Sequence, residues 1–466
     1  MPFKKNLSLD AFIIAIFLSA LDIGMVAPSL TVIAADLGFP VRGVLWTIAL
    51  HLAVFVLALP LMEAWAAKVG RREWFSVSLL LFAVGSLIAG GSHTWLSLIA
   101  GRVIQAVAAG GIVPVLAAEM GRMTKWEKRR WRIAVHAVLA VLLILTPYLS
   151  STLTWMFSWR WLFWISIPAV LLVFTFSFRF RSGGRLRSPP YQIHGIFYFG
   201  AILLSAMTAI SQLDPNKGWE ALTDPGFLPF AFLAAGLGIP MMMVERQSDR
   251  PFFSLQLFTD RRLIALHGVT ALAGVTWVAV VLVPGWMAEI YQRPPGTGGI
   301  FLSIVAASAW FSIPLARRIS LHWGYQGVLA LGFFATASAY FTLALITDPA
   351  ALTTILAVLG FGLGFTLTAP VHELLFDVLS YRHVKNGLMV IGMFRAAGGA
   401  LGLIVIGLSF FQEIPLTGGF STVSGLPELW KSGYQVGMLT AAGAAVIGLI
   451  IALLLPISSS SAKEED

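Results

Sequence analysis

The sequence predicts an all-α polytopic membrane protein with fourteen transmembrane helices. Of its 466 residues, 58% are hydrophobic and 11% are charged, whereas soluble domains are roughly 45–50% apolar and about 25% charged. The apolar residues form fourteen segments of the length that a bilayer requires, about 20 residues for each helix. Basic residues are concentrated in every second gap between these segments, which is typical of cytoplasmic loops. Composition, segment length and charge alternation therefore indicate the same fold class.

The fourteen apolar segments alternate regularly with short polar gaps. They lie at roughly 10–34, 43–66, 74–92, 95–118, 132–153, 161–178, 192–212, 226–244, 263–288, 298–316, 326–346, 351–375, 387–410 and 435–456. An even number of spans agrees with the charge alternation and predicts that both termini are cytoplasmic, in the plasma (inner) membrane. The first segment is too long for the core of a cleavable signal peptide, so we expect it to be retained.

The distribution of basic residues decides between two explanations of the net charge of +9. A basic chain can bind nucleic acid, but here the positive charges lie in short loops between spans. The fourth gap is the most basic, with Arg122, Lys125, Lys128, Arg129, Arg130 and Arg132. Membrane insertion explains this pattern better than nucleic-acid binding, so no nucleic-acid partner is predicted.

The residue types also exclude several kinds of chemistry. The chain has no cysteine, which excludes a disulfide framework, a thiolate metal site and a cysteine nucleophile. No Gly-Lys pair occurs in the sequence, so there is no Walker A loop and no built-in ATPase. We predict neither a cofactor nor a metal, and a protein that is not an enzyme.

The order of spans and linkers predicts a plan of six, two and six helices. An N-terminal bundle would occupy 1–178, two extra helices with their linkers 179–260, and a C-terminal bundle 261–456. A disordered cytoplasmic tail would follow at 457–466, since this segment is short, polar and charged. Parallel repeats around a site at the bilayer midplane are a common transporter plan.

Three ionisable residues on three different spans are predicted to share one depth. Asp22, Arg102 and His51 each lie about 12 Å below the outer edge of the hydrocarbon core, at a rise of about 1.5 Å per residue. A charge at the bilayer centre costs on the order of 3 kcal/mol, so such residues are candidates for function. Asp22 and Arg102 fit either a proton-coupling pair or a permanent ion pair that locks helix packing. His51 could either belong to the same proton-coupling cluster or make a local hydrogen bond within the helices.

Other polar residues predict a cavity and its cytoplasmic gate. Gln105 follows Arg102 by three residues and therefore shares its helix face, where it could bond a substrate. Arg395 lies about a third of the way up its span and either faces the cavity or snorkels to the interface. Glu63 and Glu119 lie near cytoplasmic helix ends, where carboxylates either serve a gate or are simply solvated.

Four motifs carry a resemblance to a known family. Residues 21–28 read LDIGMVAP, residues 100–106 read AGRVIQA, residues 158–168 read SWRWLFWISIP, and Glu245-Arg246 is followed by Pro251, Leu257 and Phe258. In order and spacing they resemble the fourteen-helix drug:proton antiporters of the major facilitator superfamily. This resemblance covers most of the chain and implies the major facilitator fold, with Asp22 as the protonated residue and Arg102 as its partner.

The chain departs from the family pattern at two motifs. The loop between helices 2 and 3 usually reads about G-x-L-A-D-R-x-G-R-R, whereas residues 63–72 read EAWAAKVGRR. The resemblance implies a cytoplasmic gate at Glu63, Gly70, Arg71, Arg72 and Glu119, with Glu63 in place of the missing aspartate. The helix 5 motif, about G-P-x-x-G-G, reads TPYLSS at 146–151. The resemblance places Pro28 and Pro147 at the substrate cavity with Gln105 and Arg395.

These features predict a secondary active transporter that works as a monomer. Its partners would be protons, the lipid bilayer and a small hydrophobic or amphipathic substrate, which it would export by alternating access. Two alternatives stay open: a lipid or glycolipid flippase of the same fold with weak or no proton coupling, and a non-transporting membrane sensor or scaffold.

Overall fold

A computed structural model describes residues 24–38, 43–122, 125–177, 192–253, 256–346, 348–367, 371, 374–375, 381–410 and 427–455. Within these ranges the regular structure is helical and no strand occurs, so the predicted all-α class is confirmed. The helices are α1 (Gly24–Asp36), α2 (Trp46–Val69), α3 (Arg71–Gly90), α4 (Trp95–Arg122), α5 (Lys125–Met156), α6 (Trp161–Trp164), α7 (Ser166–Ser177), α8 (His194–Gln212), α9 (Leu228–Gly236), α10 (Gly238–Gln247), α11 (Gln256–Thr259), α12 (Arg261–Val278), α13 (Val283–Ile290), α14 (Gly299–Leu345), α15 (Pro349–Leu367), α16 (Tyr381–Phe410) and α17 (Pro427–Leu454). Short 3-10 turns lie at Pro215–Thr223 and Ala279–Leu282.

Ten helices in the described ranges are long and apolar enough to cross a membrane, and three shorter apolar helices accompany them. The longest, α14, has 47 residues, and its helical geometry breaks at Gly324, where φ is 67°. A left-handed backbone at this position favours glycine. Two predicted spans, 298–316 and 326–346, lie on either side of this break. The total of fourteen spans stays a prediction.

Three predicted boundaries differ from the structure. The basic segment 122–131, expected as a loop, is helical up to Arg122 and again from Lys125, because a helix can continue in water once it has left the bilayer. The sixth span is divided into α6 and α7 at Ile165. The last span, predicted to begin at 435, begins earlier, because α17 starts at Pro427, and proline is favoured in the first turn of a helix.

The helices pack as an N-terminal half, α1–α7, and a C-terminal half, α12–α17. Within the first, α4 packs on α2 and α3, and α3 packs on α7; within the second, α12 packs on α16 and α14 packs on α15 and α17. Within the described residues, α2 packs on α16 and α5 packs on α14 across the boundary between the halves. The end of the bundle predicted to be cytoplasmic is called the inner end below, and the opposite end the outer end.

The two largest clusters of buried apolar residues in the described ranges lie toward the outer end and toward the inner end. The outer cluster includes Leu45 and Ile48 of α2 together with Leu282 and Phe410 of the C-terminal half. The inner cluster is made mostly of C-terminal helices and residues that follow α10, with only a few residues of α2. The two halves therefore share a continuous apolar core at their outer ends.

The hairpin formed by α8, α9 and α10 lies at the side of the bundle. Helix α8 packs on α2 and α16, so it contacts both halves. In contrast, very few residues of Leu228–Gln247 are buried, and its Phe232 and Ile239 are exposed, as expected of a helix that faces lipid. In the outer turn between α8 and α9, Lys217 Nζ lies 2.7 Å from Asp224 Oδ2. This hydrogen bond raises the pKa of Lys217 and lowers the pKa of Asp224.

Candidate functional site

A row of buried polar side chains runs through the N-terminal half. Arg102 of α4 is 1% exposed, and its Nη1 donates a 3.4 Å hydrogen bond to Gln105 Oε1. Gln105 Nε2 donates to Ser86 Oγ of α3 at 2.9 Å, and Ser86 Oγ lies 3.0 Å from Ser166 Oγ of α7. This buried polar row, Arg102–Gln105–Ser86–Ser166, links three helices around a guanidinium.

Two glycines allow the backbones of α3 and α4 to approach closely around this row. A Cβ atom on Gly85 would lie 2.8 Å from Gln105 Cγ, and one on Gly101 would lie 2.6 Å from the Ala89 amide nitrogen. Both positions therefore exclude any larger residue. Gln105 is thus packed inside the N-terminal half, where its side-chain amide forms hydrogen bonds with Arg102 and Ser86. Its predicted role at a substrate cavity stays a prediction.

His51 lies beside Arg102. Its ring is 4% exposed, and Nδ1 lies 3.0 Å from the Arg102 carbonyl oxygen. Because a carbonyl can only accept, Nδ1 carries the proton in this bond. His51 therefore makes a local hydrogen bond, which is the second of its two interpretations above. This bond connects α2 to α4. Its role in proton coupling stays a prediction.

Asp22, the other member of the predicted coupling cluster, lies outside the described residues. Helix α1 is described from Gly24, and a Cβ atom there would lie 3.2 Å from Thr146 Cγ2 of α5. The beginning of described α1 therefore packs on α5. The pairing of Asp22 with Arg102 stays a prediction.

Hydroxyl groups join α1 to α5 where the family motif has glycines. Ser29 Oγ lies 3.1 Å from Ser150 Oγ and 2.6 Å from Thr154 Oγ1, and Ser150 also donates to the Met25 carbonyl. The serine that replaces a glycine thus contributes an interhelical hydrogen bond. Pro28, next to Ser29, lines a cavity of about 40 Å³ at the outer ends of both halves, room for about one water molecule.

The two halves meet tightly on the outer side. The Gly299 amide of α14 donates a 2.8 Å hydrogen bond to Ser151 Oγ of α5, and a Cβ atom on Gly299 would overlap the Pro147 carbonyl oxygen. A second contact joins α2 and α16, where a Cβ atom on Gly407 would lie 2.7 Å from Leu45 Cδ1. Pro147 is therefore part of the outer contact between the halves.

Arg395 of α16 is the second guanidinium within the spans of the described residues. Its Nη1 donates a 3.3 Å hydrogen bond to the carbonyl of Leu367, the last residue of α15. Its Nε and Nη2 are buried and find no acceptor among the described residues. Arg395 is thus packed between α16 and α15, and its predicted position at the substrate cavity stays a prediction.

The predicted cytoplasmic gate is described only in part. Gly70 joins α2 to α3 with φ of 124° and ψ of 135°, a backbone conformation that favours glycine. Glu63 and Arg72 are half-buried. Arg71 and Glu119 lie in helices, but their side chains are outside the described part of the chain. The gate function of all five residues stays a prediction.

Residues of the 158–168 motif form a group of hydrogen bonds at the outer end that the sequence did not reveal. This group, Asp36, Trp159, Arg160 and Ser92, is called the outer clasp below. Asp36 Oδ2, just past the first predicted span, accepts hydrogen bonds from Trp159 Nε1 at 3.0 Å and from Arg160 Nη1 at 2.9 Å. Arg160 Nη2 also donates to the Ser92 carbonyl at 3.1 Å. The clasp joins the outer ends of α1, α3 and α6.

The model of the Major Facilitator Superfamily matches residues 12–403 of this chain. The chain belongs to the Major Facilitator Superfamily. It is therefore a multi-pass membrane transporter rather than an enzyme, as the sequence predicted.

Several similar proteins are named for drug transport or drug resistance. The multidrug transporter protein MdtP of Bacillus subtilis (strain 168) is 23% identical over 412 residues, which cover 87% of this chain and 75% of that protein. Multidrug resistance protein 3 of the same organism is 24% identical over 367 residues, covering 76% and 70%. The methyl viologen resistance protein SmvA of Salmonella typhimurium (strain 14028s / SGSC 2262) is 26% identical over 432 residues, covering 90% and 86%. This superfamily transporter is thus a divergent relative of efflux proteins.

Solved transporter structures share the fold at low sequence identity. A bacterial homolog of the human lysosomal transporter Spinster, in an inward-facing and unoccupied conformation, has a TM-score of 0.71 at 13% identity, with 98% of this chain and 97% of that chain covered. The nucleoside transporter NupG has a TM-score of 0.62 at 13% identity, with 97% and 99% covered. These likenesses support the superfamily fold alone.

Proposed function

We propose that this transporter is a proton-coupled exporter of hydrophobic or amphipathic small molecules in the plasma (inner) membrane. It would have six, two and six helices, fourteen in all, and both termini in the cytoplasm. The observation that carries the proposal is the buried polar row around Arg102, together with His51 on the neighbouring helix. The multidrug efflux proteins to which the chain is similar support the substrate class.

A fully buried arginine in a transmembrane helix is energetically costly, so Arg102 is a candidate for function. Insertion of a charged residue at the bilayer centre costs on the order of 3 kcal/mol, and such residues commonly mark ion or proton pathways. Gln105 and His51 surround the arginine with polar groups but neither carries a negative charge at neutral pH. A carboxylate that alternates between binding Arg102 and binding a proton would complete a coupling device, and Asp22 is the predicted carboxylate.

The coupling step follows from charge balance. When Asp22 takes up a proton from the outer side, its carboxylate loses its charge and its attraction to Arg102 falls. The outer contacts between α5 and α14 and between α2 and α16 close the pathway on that side, so the proton leaves toward the cytoplasm. A membrane potential of 100 mV adds about 2.3 kcal/mol for each charge moved.

Reconstituted vesicles test the proposal. Purified protein in liposomes is exposed to an imposed pH gradient, and uptake is followed for a cationic dye, ethidium, and an anionic dye, 8-anilinonaphthalene-1-sulfonate. We expect gradient-driven uptake of at least one dye and its loss in Asp22→Asn. Asp249→Asn, which neutralises an exposed aspartate, is the matched control and should retain uptake.

The other outcomes identify the alternatives. Transport of a fluorescent phospholipid that does not depend on the gradient would favour the flippase. If neither the dyes nor the lipid move, the sensor or scaffold is favoured. Full gradient-driven uptake by Asp22→Asn would overturn the assigned coupling residue.

A further inference from the structure

Two nitrogen donors of Arg395, Nε and Nη2, make no hydrogen bond within the described residues. A guanidinium carries five N–H groups in a planar fork that matches an oxyanion in two parallel bonds. Here Nη1 bonds the Leu367 carbonyl, while buried Nε and Nη2 meet no acceptor among the described residues. Leaving a buried donor unbonded is costly, and more so when it is charged. Such a group needs an acceptor at some stage of the transport cycle.

The position of Arg395 suggests where that acceptor comes from. Gly399 lies one helical turn toward the outer end on the same face of α16. A Cβ atom there would lie 3.1 Å from Val278 Cγ1 of α12 and 3.6 Å from Leu52 Cδ1 of α2. Arg395 therefore lies one helical turn inward of a place where α16 contacts both α12 of its own half and α2 of the N-terminal half. Leu52 adjoins His51, whose ring bonds the Arg102 carbonyl.

The charge around Arg395 favours an anion from outside the protein. In the described backbone of the C-terminal half, the acidic residues are placed at helix ends: Asp260 just before α12, Glu289 in the last turn of α13, Asp348 just before α15 and Glu428 in the first turn of α17. None of these four positions belongs to the middle of a span. Glu373 and Asp377 lie outside the described residues.

We propose that Arg395 binds the anionic headgroup of a single-chain amphiphile, a sulfate, phosphate or carboxylate, on the inner side of the contact between the halves. The inference rests on the proposed transport function and narrows its substrate class to anionic amphiphiles. The headgroup accepts hydrogen bonds from Nε and Nη2, while the Leu367 carbonyl holds Nη1 and fixes the plane of the guanidinium.

The test compares two probes that differ in headgroup charge. Octyl sulfate and octyltrimethylammonium carry the same alkyl chain, and their binding to the protein in phosphatidylcholine nanodiscs is measured by calorimetry without any ion gradient. The variants are Arg395→Gln, Arg395→Lys and, as the control, Arg318→Gln, which removes an exposed arginine of α14. Size-exclusion chromatography and circular dichroism establish that each variant is folded.

We expect octyl sulfate to bind the unchanged protein at least tenfold more tightly than octyltrimethylammonium. Arg395→Gln should lose at least tenfold in octyl sulfate affinity, Arg395→Lys should lose less, and Arg318→Gln should lose nothing. A change below twofold in Arg395→Gln would overturn the proposal. So would a tenfold gain in octyl sulfate affinity in Glu373→Gln or Asp377→Asn, because it would show that the chain's own carboxylate holds Arg395.

Binding without a gradient separates this inference from the proposed function. Headgroup binding that depends on Arg395, in a protein that transports neither dye, would leave the inference standing and remove proton-coupled export. If Arg395→Gln folds, binds octyl sulfate within twofold of the unchanged protein and still takes up a dye under the pH gradient, the inference fails while export stands.

Discussion

The amide of Gly299 and the hydroxyl of Ser151 join the two halves of the transporter at their outer ends. The hydrogen bond between them measures 2.8 Å. It requires a residue without a side chain on α14, because a Cβ atom on Gly299 would overlap the Pro147 carbonyl oxygen. Helix α5 therefore contributes both the hydrogen-bond acceptor, Ser151 Oγ, and the Pro147 carbonyl against which Gly299 packs. This close packing joins the two halves on the outer side.

Gly299→Ala should prevent this closure and populate an outward-open state. The added methyl group overlaps backbone atoms that cannot move independently of α5. Spin labels at Phe157→Cys and Arg293→Cys, exposed positions at the outer ends of the two halves, report the separation by pulsed electron paramagnetic resonance. Since the chain has no cysteine, the labels attach only there. We expect the distance to increase by several ångströms.

The matched control for this experiment is Gly443→Ala. A Cβ atom at Gly443 meets nothing within 4 Å, so its distance distribution should equal that of the unchanged protein. An unchanged distribution in Gly299→Ala as well would show that the tight outer contact does not control the conformation.

The sequence predicted the helices well because lipid imposes long apolar segments. Their ends were less predictable, since helices such as α5 extend into water, where hydropathy no longer marks the boundary. The outer contact could not be foreseen, because Ser151 and Gly299 are 148 positions apart. A glycine at position 299 indicates backbone freedom or close approach, but the sequence does not say what approaches it.

Arg102→Ala should impair gradient-driven transport more strongly than Arg102→Lys. Lysine retains the positive charge that a carboxylate partner requires, although it lacks the planar fork of arginine. Initial rates of dye uptake in vesicles under a fixed pH gradient measure the difference. Arg250→Lys, at an exposed arginine after α10, serves as the control. Equal rates in Arg102→Ala and Arg102→Lys would mean that charge at position 102 is irrelevant to coupling.

Gln105→Leu should destabilise the N-terminal half by about 1–3 kcal/mol, because it removes the acceptor of a buried guanidinium donor. Leucine has a similar size, so the close packing against Gly85 is largely kept. Thermal unfolding followed by tryptophan fluorescence measures the change. Gln247→Leu, at an exposed glutamine at the end of α10, should leave the melting temperature almost unchanged. If Gln105→Leu is equally stable, the hydrogen bonds of the buried polar row contribute nothing net.

Part of the candidate site could be predicted from charged residues in apolar spans and from helix periodicity. A charged residue in an apolar span stands out, so Arg102, His51 and Arg395 could be selected, and a common depth brought His51 to Arg102. Ser86 and Ser166 could not be selected, because a serine within a span is common and usually bonds its own helix. Their function depends on the packing of α3 between α4 and α7, which no local pattern encodes.

Glu245 offers a test of how the extra helices are attached. This carboxylate at the inner end of α10 is 5% exposed, and its Oε2 accepts a 3.1 Å hydrogen bond from the Phe253 amide. A Cβ atom on Gly195 of α8 would overlap its other oxygen. Phe253 in turn packs on Phe199 of α8 with ring centroids 5.3 Å apart. One carboxylate thus fastens α10 to the segment that follows it and fits against the beginning of α8.

Glu245→Ala should therefore loosen the hairpin while both halves stay folded. The loss leaves a buried amide unbonded, which costs about 1–3 kcal/mol. Hydrogen exchange measured by mass spectrometry should increase in α8 and α10, with little change in α3 and α4. Glu220→Ala, in the exposed outer turn, should change neither region. Unaltered exchange in α8 and α10 of Glu245→Ala would show that lipid contact and α8 packing hold the hairpin without the carboxylate.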